Sequence, residues 1–534
     1  MGCGRSSWRR IASTSSSTGR RGGSRWARRS ASASRCASTA CPVVRSTGWS
    51  RATRGGRNAS SPSTRASRSG GSRRRPAAER AMRVPIGRLA LTILAATGAA
   101  SADATVHIVA PDGSGDFATI DAAVAAAEDG DRIELLDGTY LGDGNRDIDL
   151  RGKSITIRSQ SGDPAACVID CQGEEAEPHR AFVCVAGEDD QTRIEQIGIL
   201  RGWAEEGGAI YMCAPLRQRT APRITGCVFA ANRAQAGGAL YLQYGCDPEL
   251  QDCAFRDNVA SGPDSYGGAL YANYSSPQIR GCTFAANRAE GALARGGAGY
   301  LQGEGRPLFE GCAFSDNASS DALLEGAAGG GLYIREIEAE LHDCFFAGNV
   351  SSFQGGGLCI EEGRLTLAGC TFSANSAVRG GGLSGCGGAE IEAAACSFVG
   401  NGACEAGGAV ACGCSAQLAL SACILAGSTA GGAVSCAAQS SCTITLRCSD
   451  VWDNAGGNWT GCIADQWDQY GNLLADPCFC ADGLHIAYAS PCFPDSNSCG
   501  VYIGAWEHGC WGCGDVVPAR ELSWGRLRAL FRPR

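Results

Sequence analysis

Lysine is almost missing from this chain: Lys153 is the single one in 534 residues. Histidine is scarce too, with five (His107, His179, His342, His485 and His508), none in a recognisable metal-binding or triad phrase. No run of about eighteen apolar residues occurs, which excludes a membrane-spanning helix. Helical periodicity is equally absent from the region between Gly207 and Asp450. What the chain has in excess is glycine (76) and cysteine (31). Its apolar runs are short and punctuated by glycine, asparagine and serine, the pattern of an all-β protein.

Charge has to be read in pieces. Residues 1–81 hold 19 arginines and one acid, Glu79, with no lysine, leucine, phenylalanine or tyrosine. Such a segment has nothing to bury and is expected to be disordered. Met82 opens a different pattern: Arg83 and Arg88, the apolar run Leu89 to Gly98, then Ala100-Ser101-Ala102. That is the order of a secretory signal, so 82–102 is read as a signal peptide and Met82 as the translation start. Residues 82–534 hold 28 basic against 53 acidic residues, a formal charge of −25. An acidic chain of this kind is no partner for nucleic acid. The composition requires no cofactor; Ca²⁺ is the one it admits.

Nine glycine pairs, at Gly207, Gly237, Gly267, Gly296, Gly329, Gly355, Gly380, Gly407 and Gly431, recur at steps of 24 to 33 residues. Self-similarity at this period marks a stacked architecture in which each unit needs its neighbours. Each pair leads to a Cys-x-Phe phrase with asparagine three residues further on. The phenylalanines are Phe229, Phe255, Phe284, Phe314, Phe346, Phe372 and Phe398. The asparagines are Asn232, Asn258, Asn287, Asn317, Asn349, Asn375 and Asn401. The last two copies decay, to Cys423 with Leu425 and to Cys448 with Asp450.

A period of this length holds three short strands and three turns, one coil of a parallel β-helix; propeller blades need about 40 residues. Stacking at about 4.8 Å then makes the phenylalanines a core stack. The asparagines become a turn ladder in which each amide bonds to the next coil, at a position where asparagine tolerates left-handed backbone. The Gly-Gly-Ala-Leu-Tyr and Cys-x-Phe-x-x-Asn phrases resemble right-handed parallel β-helix proteins, especially bacterial surface proteins with polymorphic-outer-membrane-protein-type repeats. The resemblance implies a solenoid over residues 103–450, exported to the outer surface of a bacterium.

The start of the solenoid is legible. His107 to Ala110 reads as a strand, Ile120 to Ala127 as a short helix capping the apolar end, and Arg132 to Leu135 as the first coil. This stretch, Val109-x-x-Asp112-Gly113-Ser114-Gly115-Asp116-Phe117-x-Thr119-Ile120, is similar to pectin methylesterases. The similarity implies polysaccharide ancestry without catalysis, because the family's Gln-Asp-Thr, Asp-Phe-Ile-Phe-Gly and Leu-Gly-Arg-Pro-Trp phrases are absent; Trp524-Gly525-Arg526 is only a faint echo of the last.

The nine cysteines of the Cys-x-Phe slot are read as small buried hydrophobes, mostly free thiols, because parallel neighbours hold their Cβ atoms too far apart for a bridge. A linear row without histidine is also no metal site. Disulfides are expected instead among Cys462, Cys478, Cys480, Cys492, Cys499, Cys510 and Cys513, with pairing left open. The candidate acids are Glu188, Asp189, Asp190, Glu205, Glu206, Glu361, Glu362, Asp257, Asp316, Asp321 and Glu325, none of which breaks the repeat as a unique site should. Trp452, Trp459, Trp467 and Tyr470 open a closing coil and cap over 451–513, as sugar platform or as core shield, and 514–534 is a basic tail.

The sequence therefore points to an exported right-handed parallel β-helix with a structural, adhesive or polysaccharide-binding role. No catalytic residue and no metal ligand is assigned. The alternative is a carbohydrate-active lyase, esterase or hydrolase on the same fold.

Overall fold

Each turn of the chain visits the same faces in the same order, and every strand pair in the stack is parallel. In the computed structural model, residues 104–214, 218–321, 326–437 and 441–513 are described. The segment 1–81, the signal at 82–102, Glu325 and the tail at 514–534 lie outside them. Among the described residues, sheets of thirteen, twelve and eleven strands form the three faces, with a seven-stranded sheet on the corner between the last two. The protein is an all-β parallel solenoid.

Why the strands are only two to five residues long follows from the corners. A residue in left-handed backbone ends many of them, for example Asp252, Gly281, Gly311, Asp343 and Gly369 just before successive Cys-x-Phe slots. Glycine pairs serve where coils approach most closely. Gly267 has φ +64°, and a Cβ on Gly268 would lie 2.0 Å from the carbonyl oxygen of Gly297.

Inside, Phe229, Phe255, Phe284, Phe314, Phe346, Phe372 and Phe398 occupy one register position of the twelve-stranded sheet. Their rings stack in parallel, for instance 4.6 Å apart between Phe314 and Phe346. The asparagines form a continuous buried chain. Asn317, for example, accepts at Oδ1 from the backbone N–H (2.9 Å) and Nδ2 (3.0 Å) of Asn287. It donates from Nδ2 to the Phe284 carbonyl and to Asn349 Oδ1, both at 2.9 Å. The left-handed residue, however, is the one before each asparagine (Ala231, Asp257, Ala286, Asp316, Ala374), not the asparagine itself. The amide is there to satisfy buried backbone, and its neighbour makes the bend.

The ladder also runs further than its sequence phrase. Leu425 pairs with Val451, which places Ser449 in the ninth slot in place of Cys448. Asn454 then resumes the ladder, accepting from the backbone N–H of Ser428 at 3.1 Å. Cys448 stands one residue earlier, in left-handed backbone, and forms a disulfide with Cys499.

The two ends are closed differently. Helix Ile120–Ala126 buries Ile120, Ala123 and Val124 against the first coils. At the other end the 3-10 turn Gly461–Gln466 covers the core with Ile463, and Trp459 packs beside it. The last segment then runs back along the outside of the twelve-stranded sheet. There Trp506 Nε1 donates to Thr371 Oγ1 (2.8 Å) and the Ala505 N–H to Ser397 Oγ (2.9 Å). Four disulfides fasten this region: Cys436–Cys462, Cys448–Cys499, Cys478–Cys513 and Cys480–Cys510. Cys492, expected to be bridged, is instead a free buried thiol against Asp450. The other slot cysteines are free and buried, their thiols donating to carbonyls, as Cys253 does to Ile224.

Candidate functional site

Outward from the eleven-stranded sheet, the turn to the thirteen-stranded sheet repeats once per coil. Its first residue must adopt left-handed backbone: Tyr244 (φ 58°), Tyr274 (50°), Gly303 (84°), Glu336 (55°), Glu362 (65°) and Gly387 (65°). At the first five the N–H donates to the next coil, as Tyr274 does to the Gln302 carbonyl at 2.9 Å. Glycine meets this demand without strain at two of the six positions. Tyrosine does so at a cost of order 1 kcal/mol or more, and here the two tyrosines stand in sequence-adjacent coils. They are 53% and 47% exposed, with ring centroids 6.0 Å apart.

The same row of turns opens into a lateral groove of about 690 Å³, lined by Ser276, Glu304, Arg306, Glu338, Arg364 and Glu390 among others. The charges inside are largely paired. Arg306 reaches Glu338 at 2.9 Å, Arg335 reaches Glu336 at 3.0 Å, and Arg364 bridges Glu390 and Glu392. Tyr274 lies at the groove's near edge, its ring over Gly303. Aromatic rings leading into a trough of carboxylates and guanidinium groups can stack on flat apolar faces and hydrogen-bond to hydroxyls at once.

A second aromatic row is closed. Tyr211, Tyr241, Tyr271, Tyr300 and Tyr333 stack along the outer face of the eleven-stranded sheet, with Arg180 and Arg295 over the two end rings at 5.1 and 5.0 Å. Burial raises the hydroxyls of Tyr241 and Tyr333 well above the usual phenol range, and raises the Glu206 carboxyl beside Tyr241. Glu361 hydrogen-bonds to Tyr333. Tyr300, Ala328, Tyr333 and Cys359 are buried together, so this row is packing.

The acids singled out from the sequence are scattered along the rod. Glu188 is buried and accepts from the N–H groups of Gly152 and Ala186. Asp189 accepts from Ser154 and from the N–H groups of Gln191 and Thr192, and Asp190 pairs with Arg223. Glu205 is exposed, and Asp257, Asp316 and Glu362 are left-handed corner residues. Asp321 accepts from Ser352 Oγ at 2.9 Å. Four histidines pair with separate acids, His107 with Asp131, His179 with Asp147, His342 with Glu340 and His485 with Asp482, and His508 meets Tyr502. Phe and Asn from the repeat are interior and touch no groove. Of the C-terminal aromatics, Trp452 and Trp459 pack inward while Trp467 and Tyr470 are 52% and 58% exposed. The groove residues Arg306 and Arg364 and the neighbouring Tyr244 and Tyr274 escape the sequence, because only the register shows that they share one edge.

Residues 215–462 match the family model for a right-handed β-helix region. The fold is thus a right-handed parallel β-helix. Two solved structures are similar. One is the pectate lyase Pel9A (12% identity, covering 76% of this chain and 97% of that chain, TM-score 0.39). The other is the catalytic unit of a thermostable GH87 α-1,3-glucanase from Streptomyces thermodiastaticus strain HF3-3 (14%, 64% and 66%, TM-score 0.35). No curated protein matches the sequence. Among the described residues no helix is long and apolar enough to cross a membrane.

Proposed function

We propose that this β-helix is an exported protein that binds a polysaccharide chain along the groove beside Tyr244 and Tyr274, without turning it over. One observation carries the reading. Two half-exposed tyrosines hold left-handed turn positions that glycine fills in other coils, at the edge of a 690 Å³ trough of paired glutamates and arginines. Strain kept at an exposed site needs a return, and ring faces for sugar stacking supply one. Four disulfides support export, since such bridges persist in oxidising compartments. No histidine lines the groove, and its arginines are occupied by glutamates, which favours binding over catalysis.

The test is affinity electrophoresis of the full chain through gels carrying neutral, acidic or amino-sugar polysaccharides. At least one polymer retards the wild type. Tyr244→Gly with Tyr274→Gly, which keeps the turn as Gly303 does, abolishes the retardation and leaves thermal unfolding unchanged or slightly higher. Retardation unaffected by the double change, or release of reducing ends or unsaturated products from the bound polymer, overturns the reading.

A further inference from the structure

Where the solenoid core ends, three sulfurs converge and a fourth is bonded to one of them. Cys412 closes the strand Val410–Cys412 and is the register neighbour of Cys436, which closes Val434–Cys436 in the next coil. Cys442 directly precedes the strand Thr443–Arg447, and Cys462 lies in the capping turn Gly461–Gln466. The Sγ atoms of Cys412, Cys436 and Cys442 all lie within 4.8 Å of one another, and Cys462 is bonded to Cys436. Among the described residues this is the one group of three or more His, Cys, Asp or Glu whose donor atoms converge to that distance. The other bridges of this region form no such group.

We propose that Cys412, Cys436, Cys442 and Cys462 form a tetrathiolate site for one zinc-class divalent cation in the reduced chain, an alternative state to the Cys436–Cys462 bridge. Thiolates bind zinc at about 2.3 Å, so the sulfurs of a tetrahedral site stand about 3.8 Å apart. Three of the four sulfurs already lie within 4.8 Å of one another, and Cys462 is held beside Cys436 by its bond, so the site needs a contraction of the three and a turn of the fourth. The cysteine row inside the core differs in that its members come from one register position and lie in a line. Here the four come from three strand ends and the cap, the spread that a tetrahedron requires.

The balance is simple. Four thiols bind one dication and release four protons, and no electron moves. Two of those protons are the ones Cys412 now donates to the Ala416 carbonyl and Cys442 to the Cys412 carbonyl, each at 3.4 Å. From the bridged chain, a dithiol reductant must first deliver two electrons and two protons to Cys436–Cys462, leaving as its own disulfide. The bound cation would tie the last coils to the cap, at the end where no further coil supplies packing.

The test uses the full chain purified in a thiol reductant and loaded with Zn²⁺ or Co²⁺ alone. The expected result is one metal per chain by elemental analysis, with the cobalt form showing the d–d and sulfur-to-cobalt bands of a tetrahedral thiolate site. Cys412→Ser with Cys442→Ser reduces the bound metal to zero, whereas Cys448→Ser with Cys499→Ser keeps it. Two results overturn the proposal: a folded, reduced wild-type chain that holds no metal and gives no cobalt bands, or peptide mapping that finds a Cys412–Cys442 disulfide beside Cys436–Cys462 in the purified protein.

Discussion

From Phe229 to Asn401 the phenylalanine and asparagine slots repeat, whereas from Cys423 onward the same slots change occupant at each coil. In the first region phenylalanine stacks on phenylalanine and asparagine bonds to asparagine six times over. In the second, Leu425 and Val451 take the phenylalanine slot, Ser428 and Asn454 the asparagine slot, and disulfides appear. Identical buried neighbours let each coil satisfy the next. Once identity is lost, covalent links fix what repetition no longer does. The sharpest way to break the contrast is in the middle of the ladder. Asn317→Ala removes four buried hydrogen bonds and leaves the buried Asn287 N–H without its acceptor. At about 1 kcal/mol per bond and more for the orphaned group, the loss is about 5 kcal/mol. Urea denaturation of the full chain measures it, and a loss under about 2 kcal/mol would show that the ladder is decorative.

In the second region the largest single effect is one of charge. Asp450 is fully buried, accepts from the Ala475 N–H at 3.1 Å and from the Cys492 thiol, and is pushed up to about 7, chiefly by desolvation. The folded chain therefore holds a proton that the unfolded chain releases near pH 4. Stability falls as pH rises through the window from about 4 to 7, by about 4 kcal/mol, and is highest below it. Asp450→Asn flattens this part of the stability profile. An unchanged slope in that variant would mean that other groups carry it.

Next comes the covalent link itself. Cys448→Ser with Cys499→Ser opens a bridge of sequence separation 51, at a cost of about 3 kcal/mol. The loss should appear as earlier proteolysis of the segment after Asp476, with the coils around Phe314 unaffected. Loss of protection throughout the chain would show that the two regions unfold as one.

Much of the regular region is readable from residue spacing alone, since a repeated Phe or Asn has one counterpart per coil. Three things are not. The left-handed position before each asparagine is filled by alanine, aspartate or glycine, so no residue type marks it. The ninth slot is hidden because Cys448 imitates the repeat one residue early, and only strand pairing reveals Ser449. The groove is built from turn residues at different offsets after each glycine pair, with loops of unequal length between them. Tyr244 and Tyr274 are neighbours only through the hydrogen-bonded register Gln243 to Asn273. Disulfide partners were open for the same reason: Cys436 and Cys448 sit in the solenoid, outside the C-terminal set.

The finest test of the comparison places the same chemical change in the second region. Asn454 is 6% exposed and donates to the Leu425 and Trp452 carbonyls, while Asn458 Oδ1 accepts from its N–H and its amide. It has no asparagine neighbour in the coil before it, where Ser428 stands, and solvent is near. Asn454→Ala also removes four hydrogen bonds, two of them only part-buried so that water can replace them, and should cost about 2.5 kcal/mol, below the value for Asn317. Equal losses at the two positions would mean that an asparagine contributes through its own coil alone. A ratio near two to one would place the difference in the shared chain of amides, where each side chain completes the hydrogen bonding of the coil before it.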